Sequence, residues 1–285
     1  MRIAIVTDST AYLNKEEYEQ DNIYFVPLSV IFKNEVFKEE VDITSDAFFE
    51  KVRESEQLPT SSQPTVGDLT ALYQELEKDY DAVISIHLSS RISGTFQNAY
   101  SVVQTMDNIN VYPYDSEMAA AGQAYLVRAA AKLAKEGHSV NEIIEQLDKI
   151  KQETKIYFIV DDLTNLIKGG RLSRAAGGVA TALKIKPVLT FRGGEIIAYD
   201  KIRTKKKALK KIESLLAESV KEKDYPLVAT VVHAYAEDEA QAFKEQMEDK
   251  FPDVRFISSF LGPVVGVHTG EGAVGMSWTI DIERL

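Results

Sequence analysis

Short apolar runs alternate with amphipathic stretches along most of the chain, and that alternation limits the folds open to it. Ile3–Val6 is a β-branched run ending at the polar turn Thr7-Asp8-Ser9-Thr10. A polar helical segment near Asn14–Gln20 and a second apolar stretch, Tyr24–Phe32, follow. Thr44-Ser45 then stands where a cap for a helix over Asp46–Ser55 is expected. In the helix predicted over Thr65–Tyr80, Leu69, Leu72, Tyr73 and Leu76 share one face, and Thr65 with Asp68 makes a capping-box start. Ala82–Leu88 is a buried-strand pattern, followed by the turn Ser89–Ser93 and a helix through Thr95–Met106. Val111–Tyr114 is a further strand and Ser116–Glu136 an alanine-rich helix stopped by Gly137. Ser139 and Glu142 cap the next helix, on which Ile143, Ile144, Leu147 and Ile150 share a face.

Strands alternating with helices in this way predict an α/β fold, with a doubly wound, mostly parallel sheet covered on both sides. Such sheets bind ligands at the carboxyl ends of their strands. Lys155–Val160 leads into a second α/β lobe. There Leu163–Ile167 is helical, and Pro187–Phe191 with Ile196–Ile202 forms a hairpin across Gly193-Gly194. Helix Thr204–Lys221, strand Leu227–His233, helix Ala236–Phe251, strand Val254–Ser259 and a strand-like Val274–Ile282 complete the series. The expected division is an N-terminal lobe over residues 1–160 and a C-terminal lobe over 161–285, with a cleft between them.

Composition removes several function classes. The 33 basic and 44 acidic side chains leave a net charge of −11, which disfavours nucleic acid as a partner. The chain has no cysteine, so disulfides, thiolate metal sites and thiol nucleophiles are excluded. His87, His138, His233 and His268 lie far apart without ligand-pair spacing, so no metal is expected. Gly270, Gly272 and Gly275 match a dinucleotide fingerprint literally, but too little chain follows for the helix and second strand that it needs. No phosphate-binding loop with a Gly-Lys-Ser/Thr ending occurs. The opening apolar run is too short for a signal-peptide core, and Phe256–Gly270, with Pro263 and three glycines, too short for a membrane span. A soluble, cytoplasmic protein with at most transient membrane contact is expected.

Two hydroxyl clusters stand before predicted helices. Ser89-Ser90-Arg91-Ile92-Ser93-Gly94-Thr95 opens a helix whose backbone N–H groups and dipole favour an anion, and Gly94 allows close approach to the backbone. Thr60-Ser61-Ser62-Gln63 lies between Pro59 and Pro64, which stiffen it. Taken singly, each cluster also fits an ordinary loop with a helix cap. Lys168-Gly169-Gly170-Arg171 sets cations beside a glycine pair, and His268-Thr269-Gly270 sets an imidazole in a glycine-rich turn. The run Lys205-Lys206-Lys207 with Lys210-Lys211 is read as a solvated helix face.

The constellation resembles the DegV family of bacterial fatty-acid-binding proteins. The resemblance rests on Thr7–Thr10, Thr60–Thr65, Ser89–Ala99, Asp115-Ser116, Lys168–Leu172, Lys186-Pro187 and His268–Gly275, in that order over nearly the whole chain. It implies a carrier without chemistry of its own, needing no cofactor and holding a long-chain fatty acid such as palmitate or oleate as a ligand between the two lobes. It also implies service as the carrier subunit of a fatty acid kinase in phospholipid metabolism, where a separate ATP-binding subunit phosphorylates the carboxylate. Carried over by residue, Ser61, Ser62, Ser93 and the Gly94 backbone contact the carboxylate, and Thr60, Thr95, Arg171 and His268 support them. Two positions depart from the family: Ser61 stands where threonine is common, and Glu271 where proline is usual. Glu271 is expected to point outward. Two alternatives are a hydrolase or acyltransferase using Ser93 and His268, and a regulatory module for a small anion.

Overall fold

The computed structural model describes residues 1–20, 22–173 and 186–284. Their contacts group into two compact units, Met1–Thr44 with Pro59–Gln152 and Ser45–Leu58 with Glu153–Leu285.

The first unit is built on a four-stranded parallel sheet. Its strands are β1 (Ile3–Asp8), β2 (Ile23–Val26), β6 (Ala82–His87) and β7 (Asn110–Asp115), in the order β2-β1-β6-β7. From β1 the chain adds β2 on one side and later β6 on the other, so the order reverses at the β1/β6 boundary. A crevice opens at such a switch point, outside the carboxyl ends of the strands. β1 and β6 are buried on both faces, which explains their continuous apolar runs. Pro113 in β7 is tolerated because β7 is an edge strand.

The apolar stretch read over Tyr24–Phe32 is two strands, because Pro27 interrupts it. Its second half is β3 (Ser29–Phe32), which pairs antiparallel with β4 (Glu35–Lys38) and β5 (Thr60–Ser62) in a separate small sheet. Helices α3 (Val66–Leu76) and α4 (Thr95–Val103) pack on the parallel sheet through Leu69, Tyr73, Leu76, Ala99 and Val102, against Ala4, Val6, Val83 and Val111. The Thr65–Asp68 capping box is present in both directions. Helix α5 (Ala121–Lys135) begins later than its alanine content predicts. Glu117 and Ala120 have φ of 56° and 52°, so Ser116–Ala120 forms a turn before the helix starts. Gly137, at φ 88°, ends that segment, and Ser139 with Glu142 caps α6 (Val140–Glu153).

The second unit contains a six-stranded mixed sheet. Its strands are β8 (Lys155–Ile159), β9 (Val188–Arg192), β10 (Glu195–Asp200), β11 (Leu227–His233), β12 (Arg255–Phe260) and β13 (Val274–Ile280), ordered β10-β9-β8-β13-β11-β12. The β9–β10 hairpin turns on Gly193 and Gly194, both at positive φ as a two-residue hairpin turn requires. α8 (Lys205–Glu222) and α9 (Glu237–Lys250) cover one face through Ile212, Leu216, Phe243 and Met247, against Ile159, Val231, Met276 and the buried Trp278. This unit also takes in α2 (Ser45–Glu54), although the chain on either side of it belongs to the first unit. Phe48 and Phe49 pack on Gly266, where an added Cβ would lie 2.8 Å from Phe49.

Central in the mixed sheet, Gly275 pairs with Phe158. An alanine methyl there would lie 2.6 Å from the Phe158 Cβ and 2.9 Å from the Tyr157 carbonyl oxygen, neither of which is a flexible side-chain end. Gly275→Ala should therefore destabilise the protein by about 1–3 kcal/mol, lowering the urea midpoint at an unchanged slope. An unmoved midpoint would contradict this packing.

Candidate functional site

The switch point between β1 and β6 is organised by a buried carboxylate. Asp8, at the end of β1, has no exposed surface and accepts hydrogen bonds from Leu88 N–H at 2.9 Å, Thr10 N–H at 3.1 Å and the Thr10 hydroxyl. Its other neighbour is His87 at the end of β6, whose Nδ1 is 3.1 Å away. Burial acts to raise the Asp8 pKa, but the His87 contact, the Thr10 hydroxyl and the Leu88 N–H outweigh it and hold it below the usual carboxylate value. A proton on His87 Nδ1 directed at this carboxylate leaves Nε2 facing Ser85 Oγ at 2.8 Å, and Ser85 is 2.7 Å from the Tyr73 hydroxyl. Burial pushes the Tyr73 hydroxyl up to about 12, so it stays protonated. Gln123 joins the network, its Oε1 lying 3.0 Å from the Thr10 hydroxyl, whose proton goes to Asp8, and its Nε2 donating to Thr7 at 3.0 Å. Sequence reasoning missed this cluster. Its signal is the pair Ser85 and His87, polar residues two apart in an otherwise apolar buried strand.

This anchor shapes the loop that follows β6. Leu88 N–H goes to Asp8, and Ser89 N–H to the Met118 carbonyl at 2.7 Å. Ser90 N–H goes to Asp115 Oδ1 at 3.2 Å, and Arg91 N–H to Ser89 Oγ at 3.2 Å. Ile92 and Ser93 both donate to the Ser89 carbonyl at 3.1 Å, and Thr95 N–H to Ser93 Oγ at 3.3 Å. Among the described residues nothing accepts from the N–H of Gly94. The loop therefore offers far fewer backbone donors than its sequence promises. Among the described residues the N–H groups left over are those of Gly94, the N-cap of α4, and of Phe96 and Gln97 in its first turn, where the helix dipole is most positive. Ser93 Oγ and Thr95 Oγ1 lie beside Gly94, 2.9 Å apart.

The chain just after the second hydroxyl cluster reaches the start of α4. Thr60, Ser61 and Ser62 form β5, a strand rather than the loop expected, with Ser61 opposite Val30 and Ser62 opposite Ser29. Ser61 is half-buried, while Thr60 and Ser62 are exposed. Just beyond, Asn98 of α4 donates to the Pro64 carbonyl at 2.9 Å, and the Gln63 carboxamide lies against Gly94.

Arg171 and His268 come together within the second unit. His268 lies in the last turn of α10 (Pro263–Thr269), not in a loop, because Pro263 at the first helical position starts a helix that runs on to Gly270. Its Nδ1 occupies the space where a Cβ on Gly169 would sit, at 2.5 Å, so Gly169 admits the imidazole to the end of α7 (Thr164–Lys168). The Arg171 guanidinium, half-buried, donates to the Gly169 carbonyl. Burial, with the Arg171 charge adding to it, pushes the His268 pKa down to about 4. Glu271 is exposed, and its carboxylate is held by both sides of the Arg53 guanidinium, which also lies 4.6 Å over the Tyr235 ring. The lysine run has mixed roles: Lys205 binds Glu239 and the Gly272 carbonyl, whereas Lys206, Lys207 and Lys210 are exposed. Gly270-Glu271-Gly272 leads into strand β13, so the dinucleotide reading has no structural basis. Among the described residues no group of His, Asp or Glu is placed to hold a metal, and no helix is long and apolar enough to cross a membrane.

The sequence matches the DegV family, described as "Uncharacterised protein, DegV family", over residues 2–281. The chain belongs to the DegV family. It is 48% identical over 279 residues to Protein DegV of Bacillus subtilis strain 168, covering 98% of this chain and 99% of that one. A crystal structure of DegV, a fatty acid binding protein from Bacillus subtilis, superposes with a TM-score of 0.94 at 46% identity, over 99% and 100% of the two chains. A stearic acid-binding protein from Eubacterium ventriosum superposes with a TM-score of 0.89 at 26% identity, over 99% and 100%.

The low His268 pKa gives a pH test. Between its unfolded value near 6.5 and its folded value of about 4, the unfolded chain binds a proton that the folded chain refuses. Its contribution to stability is thus present above pH 6.5 and lost as pH falls through 4. Replacing His268 by Gln should flatten the stability–pH slope in that window, read from urea unfolding at fixed pH values. An unchanged slope would show that His268 titrates normally.

Proposed function

We propose that this protein binds a long-chain fatty acid, with the carboxylate on Ser61, Ser62, Ser93 and the Gly94 N–H, supported by Thr60, Thr95, Arg171 and His268. The observation that carries the reading is the unoccupied Gly94 N–H beside two hydroxyls at the start of α4, in a member of a family whose relatives include fatty-acid-binding proteins. A carboxylate removed from water needs such donors, since an ion left without them costs several kcal/mol. Sequestering the chain supplies the affinity at about 0.8 kcal/mol per methylene, on the order of 10 kcal/mol for palmitate. The protein is a carrier that presents the head group to a separate ATP-dependent kinase subunit for acyl-phosphate formation, as the family resemblance implies. A cytoplasmic role in phospholipid metabolism accords with that partner.

Purified protein should release about one equivalent of fatty acid on denaturing mass spectrometry, or take up added palmitate or oleate; doing neither would overturn the reading. Ser93→Ala should weaken palmitate binding roughly 10- to 150-fold, the range for a hydrogen bond to a charged group. With the kinase subunit present, Arg171→Ala should reduce acyl-phosphate formation more than lipid retention. Equal loss of both would contradict its assignment to the head group.

A further inference from the structure

Gln63 is not among the residues that the carboxylate-binding reading uses, yet its side chain lies closest to the Gly94 backbone. A Cβ built on Gly94 would fall 2.3 Å from Gln63 Oε1 and 2.8 Å from Nε2, so the carboxamide packs directly over the Gly94 α-carbon. Gly94 has φ −83° and ψ 6°, a conformation open to any residue. Glycine leaves room there for the Gln63 side chain, and no turn demands it.

The carboxamide is also held in place while keeping its polar groups available. Pro64 restricts the Gln63 backbone to extended conformations, and the Pro64 carbonyl is fixed by Asn98 Nδ2 from α4 at 2.9 Å. Gln63 is therefore tethered to the same helix whose N-terminus carries the open donors. Its side chain is exposed, and among the described residues its amide makes no hydrogen bond. A primary amide offers two N–H donors and a carbonyl acceptor, and either end can be turned toward a neighbour. An exposed glutamine with no partner would ordinarily move freely in water. This one rests against a residue whose backbone N–H is open.

We infer that Gln63 is the solvent-side contact of the bound head group, and that it sets the preference for an ionised carboxylate over a neutral head of the same chain length. The inference rests on the fatty-acid reading above and extends it by one residue. The Gly94 N–H and the Ser93 and Thr95 hydroxyls meet the head group from the helix side, and the Gln63 amide N–H covers its exposed side. A carboxamide suits this position because it donates to an anion without carrying charge. A carboxylate of the same shape would repel the ligand. A neutral alcohol head needs fewer donors and gains little from Gln63.

The test compares palmitate with hexadecanol, which share the chain and differ in head charge, by titration of the full-length protein. Wild type should prefer palmitate. Gln63→Glu should reduce the palmitate-to-hexadecanol affinity ratio by about tenfold or more, and Gln63→Ala by about three- to tenfold. Gly94→Ala provides an independent route, because its methyl displaces only the far end of an exposed, flexible side chain and leaves the Gly94 N–H in place. It should lower the ratio as Gln63→Ala does, and adding it to Gln63→Ala should cost little more, since both act through one contact. Two results would overturn the inference while leaving the fatty-acid reading intact. One is an unchanged ratio in the Gln63 variants; the other is a Gly94→Ala effect equally large without Gln63. Wild type that binds neither lipid would remove the fatty-acid reading itself, and this inference with it.

Discussion

A carboxylate that water does not reach must be satisfied by the protein around it, and the way Asp8 is satisfied fixes much of the first unit. Two backbone N–H groups, a threonine hydroxyl and an imidazole converge on it from the ends of two adjacent strands. Leaving a buried carboxylate short of a hydrogen-bond partner costs about 1–3 kcal/mol or more, which exceeds what a surface ion pair contributes. Asp8 thus ties the carboxyl ends of β1 and β6 together at the place where the strand order reverses. Through Leu88 it sets where the next loop begins, and through His87, Ser85 and Tyr73 it ties that point to α3.

From this anchor the loop closes on itself. Asp115, the Met118 carbonyl and the two polar atoms of Ser89 take the N–H groups of Ser89 to Ser93. A loop that used fewer internal acceptors would present many weak, mobile donors. This one commits its own N–H groups and leaves open, among the described residues, those of Gly94, Phe96 and Gln97 at a helix start, with two hydroxyls adjacent. Fixed donors bind an anion at lower entropic cost than donors that must first be ordered. Gln63 lies beside the same arrangement, because the absence of a side chain at Gly94 lets its carboxamide pack against the Gly94 α-carbon.

Much of the fold was legible because its signals are local. The apolar runs of β1, β6 and β11, the Thr65–Asp68 box, the Ser139 cap and the glycine pair of the β9–β10 hairpin each act within a few residues. What stayed hidden is tertiary. Nothing in Ser45–Leu58 marks α2 as packing with a unit that otherwise begins a hundred residues later; the reason is the fit of Phe48 and Phe49 against Gly266. The antiparallel pairing of β5 escaped notice because Thr60-Ser61-Ser62 carries hydroxyls where strands normally show apolar alternation. The expected outward placement of Glu271 agrees with its exposure, but its Arg53 partner lies over two hundred residues away and leaves no local trace. At the site, the hydroxyl clusters were visible in the sequence. The loss of the loop's donors to internal acceptors was not: Arg91, Ile92 and Ser93 turn back on Ser89, and the others go to Asp8, Asp115 and Met118 from other strands and turns.

In the proposed complex Gly94 donates to an ionised head group while the N–H groups of Leu88 to Ser93 remain committed to the protein. Amide-resolved NMR of isotope-labelled protein titrated with palmitate reads this directly. The Gly94 amide proton should move strongly downfield on binding, as expected when a charged acceptor replaces water, while the amides of Leu88 to Ser93 keep their positions. A Gly94 resonance that stays in place while palmitate binds, or loop amides that all shift together, would contradict it.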